Sequence, residues 1–414
     1  MSQTALVSLA FLVVSIIGAL FTLNALFPFR RPDVLAVLSF FPGWLTSELP
    51  FHHLVWQAIA TACFIGLGAL NKTAGWIALA ITLASWCGLW VLTRRSARTG
   101  DQMDAALRTA LGDDYQSRSG EKSPSIPWRQ VAMPFSFRDP AVRVERDIAY
   151  SESGQRAHRL DVYRPSDGRQ GCPTLFYIHG GGWVIGDKRE QGKPLMVHLA
   201  SRGWVCVTVN HRLSPKATFP DHLLDLKEAF RWIRGHGAEY GADPSFVVVS
   251  GASAGGHLAA LVALTANDPA YQPGFEDVDT TVQGCVCWYG VYDFTNRIKA
   301  RGKGFVRFIE RAVMKAKLAD QPEAFAAASP MDLVGPHAPP TLIIQGTHDT
   351  LVPPAEARHF AELLASVSTA PVAYAELKGA QHAFEVFRSV RAMHAVYAAA
   401  RFCDFVRSGT AAAP

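Results

Sequence analysis

Ser253 is the residue of this 414-residue chain best suited to act as a nucleophile. It stands in Gly251-Ala252-Ser253-Ala254-Gly255-Gly256-His257, directly after the apolar run Phe246-Val247-Val248-Val249-Ser250 and before an alanine- and leucine-rich stretch. A serine on a sharp turn from a buried strand into a helix exposes its hydroxyl, and the flanking glycines permit the turn. A serine hydroxyl is a poor nucleophile at neutral pH, so the chemistry needs a base and a group to orient that base. Asp349, in Gln345-Gly346-Thr347-His348-Asp349, and His382, in Gly379-Ala380-Gln381-His382-Ala383-Phe384, each follow an apolar strand-like run. Asp293 and Asp332 compete for the acid. Fourteen histidines, His257 and His348 among them, compete for the base. Chain order favours Asp349 and His382, since the acid follows the penultimate strand and the histidine the last.

A second glycine string, His179-Gly180-Gly181-Gly182-Trp183, follows Thr174-Leu175-Phe176-Tyr177-Ile178. Backbone without Cβ atoms brings its amides close to a substrate, so Gly180, Gly181, Gly182 and Ala254 are assigned to an oxyanion hole. The N–H groups of Gly181, Gly182 and Ala254 are the expected donors, each worth about 3–4 kcal/mol. His179 reads as a brace for this loop.

Both strings must sit at the carboxyl ends of strands, and the surrounding pattern supplies those strands. Two alternating runs, 142–150 and 158–164, flank Ser151-Glu152-Ser153-Gly154, a hairpin signal. Strands near 174, 204–210, 246–250, 285–290, 341–345 and 372–376 then alternate with helices at 221–236, 254–266, 355–367 and 390–406. The expected fold class is therefore α/β, a mostly parallel sheet with helices on both faces, whose sites lie at the carboxyl ends of its strands.

Composition adds a second unit. Hydrophobic residues make up 49% of the chain and charged residues 18%. The excess is concentrated before residue 93, where the only charged side chains are Arg30, Arg31, Asp33, Glu48 and Lys72. Three stretches, about 5–29, 54–70 and 74–92, are long enough to cross a bilayer, which takes roughly 20 apolar residues. The first is too long, and lacks the basic start, for a cleaved signal peptide. Residues 34–45 are too short to cross and are broken by Pro42-Gly43; they read as interfacial or packed on the other helices. Arg30 and Arg31 follow the first span, and Arg94, Arg95 and Arg98 follow the third. The positive-inside rule then puts the N-terminus outside and the catalytic part in the cytoplasm. The expected organisation is a transmembrane region at 1–98, a linker at 99–140 and a catalytic domain at 141–414. The net charge of +5 is too diffuse to imply nucleic acid. Seven cysteines without disulfide-like spacing read as buried thiols, and Cys285 with Cys287 lacks the second pair that a zinc site needs.

Over roughly 142–406 the chain resembles the hormone-sensitive-lipase-like esterases (bacterial family IV) and the neighbouring feruloyl-esterase and formamidase-like hydrolases of the α/β-hydrolase superfamily. The resemblance rests on His179 to Trp183, Gly186-Asp187, Asn210-His211-Arg212-Leu213-Ser214-Pro215, Phe219-Pro220, Asp225, Gly241-Ala242-Asp243-Pro244, Gly255-Gly256-His257 and Ala328-Ser329-Pro330. It implies a carboxylic-ester hydrolase with the triad Ser253, His382 and Asp349, an acyl-enzyme intermediate and no cofactor or metal. Ala252 stands where the lipase-like branch usually has an acid, and Asn210-His211 replaces an Asp-Tyr pair. His257 fits the formamidase-like branch better.

Residues 293–329 form an insertion rich in Arg and Lys, with Phe305, Phe308, Ile309, Val313 and Leu318 spaced for one apolar face. The resemblance makes it a cap; the charge pattern also suits a basic helix on anionic lipid. The expected function is hydrolysis of lipid or small apolar esters by a membrane-anchored serine esterase. Membrane lipids are its expected partners. The rival readings are a formamidase on the same triad and a catalytically silent receptor or scaffold.

Overall fold

The computed structural model describes residues 2–119 and 124–411; Met1, residues 120–123 of the expected linker and residues 412–414 lie outside the described residues. Its centre is an eight-stranded sheet of order β1-β2-β4-β3-β5-β6-β7-β8. The strands are β1 (Val142–Ala149), β2 (Arg159–Pro165), β3 (Cys172–Ile178), β4 (Val205–Val209), β5 (Ala242–Ala252), β6 (Gly284–Trp288), β7 (Thr341–Gly346) and β8 (Val372–Leu377). β2 pairs antiparallel with both β1 and β4, and every later pairing is parallel. All residues of β3, β4, β6 and β7 are buried. Their continuous apolar runs are what a sheet covered on both faces requires.

The helices, in chain order, begin with α1 (Gln3–Leu26), α2 (Asp33–Glu48), α3 (Pro50–Gly66), α4 (Thr73–Ala97) and α5 (Thr99–Leu111). Two short turns, α6 (Tyr115–Arg118) and α7 (Trp128–Ala132), precede the sheet. Within it come α8 (Lys193–Ser201), α9 (Asp221–His236) and α10 (Ala254–Leu264). The insertion holds α11 (Lys303–Phe308), a π-turn at Ile309–Met314 and α12 (Pro322–Ala327). Helices α13 (Pro354–Val367) and α14 (Val390–Ala411) complete the chain.

The N-terminal helices are built inside out. In α1 the buried positions are Ser8, Phe11, Ser15, Thr22 and Ala25, while Leu6, Leu9, Val13, Ile17, Leu20 and Leu23 point outward. The inward hydroxyls bridge α1 to α4, Thr22 to Ser85 at 2.8 Å and Thr82 to Ser15 at 2.9 Å. Small residues with hydroxyl bonds between helices, and large apolar residues outside, suit lipid better than water. Among the described residues two helices are long and apolar enough to cross a membrane, α1 and the helix that starts at Thr73. The expected second span is different. It is the 17-residue α3, which joins α2 at a bend of 88°, so a third crossing exists only if the bent pair counts as one span.

Residues 99–140, the expected linker, begin with a helix. Helix α5 lies against β8 and α14, with Met103 and Leu107 fully buried. Of the basic residues in the insertion, Arg301 is turned inward. Its Nε donates to Glu356 Oε2 at 2.5 Å, and Arg297 pairs with Asp332. Ile309 and Val313 are fully buried and hold the insertion onto the core.

Candidate active site

Four strand ends build the site. Ser253 occupies the turn between β5 and α10 at φ 57°, ψ −121°, a conformation costly for any side chain. The turn is held by the Ser253 N–H donating to Trp288 O at 2.9 Å. It needs Gly255, where a Cβ would lie 2.2 Å from Ile178 O. Asp349 follows β7 and His382 follows β8. His382 Nε2 is 2.9 Å from Ser253 Oγ, and His382 Nδ1 is 2.7 Å from Asp349 Oδ2.

Asp349 is buried and strongly held. Its Oδ1 accepts from the backbone N–H groups of Leu351 (2.9 Å) and Val352 (2.7 Å), and Oδ2 accepts from Gln345 Nε2 at 3.0 Å. The rival acids sit elsewhere. Asp293 accepts from Thr295, and Asp332 pairs with Arg297.

The glycine loop follows β3 and bends beside the serine. Gly181 has φ +118°, and a Cβ there would fall 2.0 Å from Ile185 O. Among the described residues, the N–H groups of Gly181 and Gly182 find no acceptor in the chain. Ala254 is the first residue of α10, whose leading N–H groups have no partner within the helix. Gly180, assigned to the hole but not among the expected donors, has its N–H taken by Gln191 Oε1 at 2.6 Å. Gly180 instead permits close approach, since a Cβ there would be 3.0 Å from Ser253 Cβ. Gly181→Ala is expected to lower kcat about 10²- to 10³-fold by displacing this loop, with an unchanged circular dichroism spectrum. A rate within threefold of wild type would remove the loop from catalysis.

Histidines brace the loop from behind. His179 Nδ1 bonds Gly180 O at 2.7 Å, and its ring stacks on His211 at 4.7 Å. Trp183 Nε1 donates to His257 Nδ1 at 3.1 Å, so His257 carries its proton on Nε2 and donates to Ala328 O at 2.8 Å. One neutral imidazole thus ties the glycine loop, helix α10 and the insertion together. Burial is the main cause that pulls His179 and His257 down to about 3, and His211 and His222 down to about 4. Since the unfolded chain takes up these protons first, near the ordinary value of 6.5, stability is full above that pH. It drains away as pH falls toward about 4. Urea unfolding midpoints should therefore drop steeply between about pH 6.5 and pH 4.5. A flat midpoint over that range would contradict it.

Several residues around the base escaped sequence reasoning. Tyr289 packs its ring 4.4 Å from the His382 ring and donates its hydroxyl to Glu385. The Tyr177 hydroxyl reaches the same carboxylate at 3.3 Å. Burial pushes the Glu385 carboxyl above its ordinary range, against the Tyr289 hydrogen bond. The available signal was one acid, Glu385, in the otherwise apolar run Ala383-Phe384-Glu385-Val386-Phe387. Helix α2 supplies more. Trp44 Nε1 donates to Ala383 O at 2.8 Å, Phe40 lies edge-on to His382 at 6.1 Å, and Thr350 Oγ1 donates to Ala36 O at 3.0 Å.

A serine on a strained strand-to-helix turn, with base, acid and glycine loop at neighbouring strand ends, has the layout of an α/β-hydrolase. Comparison with known proteins agrees. The family model BD-FAE matches residues 160–364. The chain is 40% identical to the probable carboxylic ester hydrolase LipM of Mycobacterium tuberculosis, over 94% of this chain and 92% of that one. It is 36% identical to esterase LipQ of the same organism, covering 88% and 83% respectively. A truncated carbohydrate esterase from gut microbiota shares the fold, with a TM-score of 0.54 at 22% identity, covering 63% of this chain and 96% of that one. The chain belongs to the α/β-hydrolase family of carboxylic ester hydrolases.

Proposed function

We propose that the protein hydrolyses acyl esters through an acyl-enzyme formed on Ser253. The observation that carries this is the unbroken chain from Ser253 Oγ through His382 to Asp349, at 2.9 Å and 2.7 Å. Ser253 Oγ attacks the ester carbonyl while His382 Nε2 takes its proton. The carbonyl oxygen becomes an oxyanion beside the N–H groups of Gly181, Gly182 and Ala254. Collapse expels the alcohol, which receives the proton from His382. Water, activated by the same imidazole, then cleaves the acyl-enzyme and regenerates the serine. Asp349 keeps the proton on Nδ1 and stabilises the imidazolium.

The helical region up to residue 98 acts as a membrane anchor for the catalytic part that begins near residue 141. The arginines at 30, 31, 94, 95 and 98 favour an outside N-terminus and a cytoplasmic active site. Membrane lipids are then its neighbours, and apolar or lipid esters its substrates.

Nitrophenyl esters from acetate to palmitate, assayed beside a formamide on one detergent-purified preparation, test the activity. The expected result is ester turnover with little on the formamide. Preferential formamide hydrolysis would move the amide reading forward, and turnover of neither would favour a silent scaffold.

A further inference from the structure

Helix α2 has its large apolar residues on the wrong side for a water-soluble protein. Its inward face carries Ala36, Ser39, Phe40, Gly43 and Trp44, packed on α1 and the catalytic loops. Its outward face is Val34 (70% exposed), Val37 (53%), Leu38 (65%) and Phe41 (61%), one stripe at helical spacing. A contiguous exposed apolar stripe of this kind marks an interaction surface.

The geometry specifies what meets that stripe. Helix α3 packs beside α1 and α4, and α2 meets it at 88°. If α1 and α4 cross the bilayer and α3, packed beside them, supplies the third crossing of the bent pair, α2 runs near the plane of its surface. Charge agrees with that placement. Arg31, Lys303, Arg307 and Arg311 outnumber the one acid, Asp33, in the lining of an open cavity of about 1010 Å³ beside the start of α2, and none of the four has an ion-pair partner among the described residues. Cations around an in-plane apolar stripe match an anionic leaflet, with headgroups at the rim and acyl chains below.

The same face opens toward the chemistry. A second cavity, of about 1100 Å³, runs between α2 and the insertion, from Val34, Val37 and Leu38 to Phe305, Phe308 and the loop of Asp349. Phe308 in turn reaches the oxyanion loop, 3.8 Å from where a Cβ on Gly182 would stand. Three residues of the outward stripe therefore also line a cavity that reaches the loop carrying Asp349.

We propose that α2 is an interfacial helix, embedded by its Val34–Val37–Leu38–Phe41 stripe in an anionic leaflet, and that bilayer-borne acyl esters enter laterally between α2 and α11. This rests on the esterase and anchoring readings above and deepens them by naming the substrate class and its route.

The test uses full-length protein in vesicles of phosphatidylcholine with phosphatidylglycerol, with one long-chain ester in the vesicles and nitrophenyl acetate in the water. In Leu38→Glu/Phe41→Glu the rate ratio of vesicle-borne to soluble ester should fall about tenfold or more. The ratio cancels any loss of folded protein, and Leu38→Asn/Phe41→Asn repeats the test without added charge. An unchanged ratio overturns the proposal. So does an unchanged ratio with a smaller oligomer in detergent, which would assign the stripe to a second copy. A nitroxide on Phe41→Cys, in a Cys63→Ser/Cys87→Ser background, decides placement without any activity. Greater relaxation by oxygen than by a nickel chelate supports embedding, and the reverse overturns it. Failure of the esterase reading would appear separately, as wild-type protein that hydrolyses neither ester.

Discussion

Replacing Ser253 with alanine should lower kcat for ester hydrolysis by about 10⁴- to 10⁶-fold while leaving the melting temperature close to wild type. The size of the effect follows from the division of labour at the site. Without the Oγ there is no acyl-enzyme, and the oxyanion donors alone give only residual acceleration over water. His382→Ala should cost nearly as much. The double variant should be little worse than either single, because the two side chains act as one unit. Asp349→Asn should lose about 10⁴-fold, since an amide at Oδ2 favours the wrong imidazole tautomer at Nδ1. Additive losses from Ser253 and His382 would contradict the arrangement.

The second large effect concerns stability. Glu48 ends α2, and its carboxylate is fully buried against Arg391 of α14, with Nε to Oε1 at 2.8 Å. Ser389 donates to its other oxygen at 2.9 Å. This buried ion pair joins the N-terminal helices to the last helix of the hydrolase core, nine residues past His382. Glu48→Ala would leave the Arg391 guanidinium, among the described residues, with Lys378 O and Ser96 Oγ as hydrogen-bond partners. A buried charge stripped of its counterion costs about 3–5 kcal/mol. The melting temperature in detergent should therefore fall by about 5–10 °C. Glu48→Ala/Arg391→Met, which removes both charges, should recover most of the loss. An unchanged melting temperature in the single variant would mean that the two regions are energetically independent.

The elements with strong local patterning were legible in the sequence. The apolar runs at 246–250 and 341–345 became β5 and β7, because buried parallel strands write themselves as continuous hydrophobic residues. Ser253, Asp349 and His382 were legible through strand-end position and chain order, and the structure brings their side chains together. What escaped was non-local. Helix α8 is nine residues long with a proline in its first turn, too short for a helical period to stand out. The anchoring of the glycine loop involves Gln191, eleven positions from Gly180, whose side chain captures the Gly180 N–H. Docking of α2 on the catalytic loops was invisible because Trp44 and Ala383 lie 339 positions apart. Residues 34–45 carry Pro42 and Gly43, which suggested a break; the helix runs through both. The inside-out pattern of α1 was masked by a composition apolar on every side, where only the small hydroxyl residues mark the inward face.

The central claim is that Ser253 is the nucleophile of an ester hydrolase, and covalent capture tests it most directly. Detergent-purified protein treated with a fluorophosphonate should carry one phosphonyl adduct, located by mass spectrometry on the peptide containing Ser253, with ester hydrolysis lost in step. Labelling at another residue, or undiminished hydrolysis and labelling in Ser253→Ala, would contradict the account.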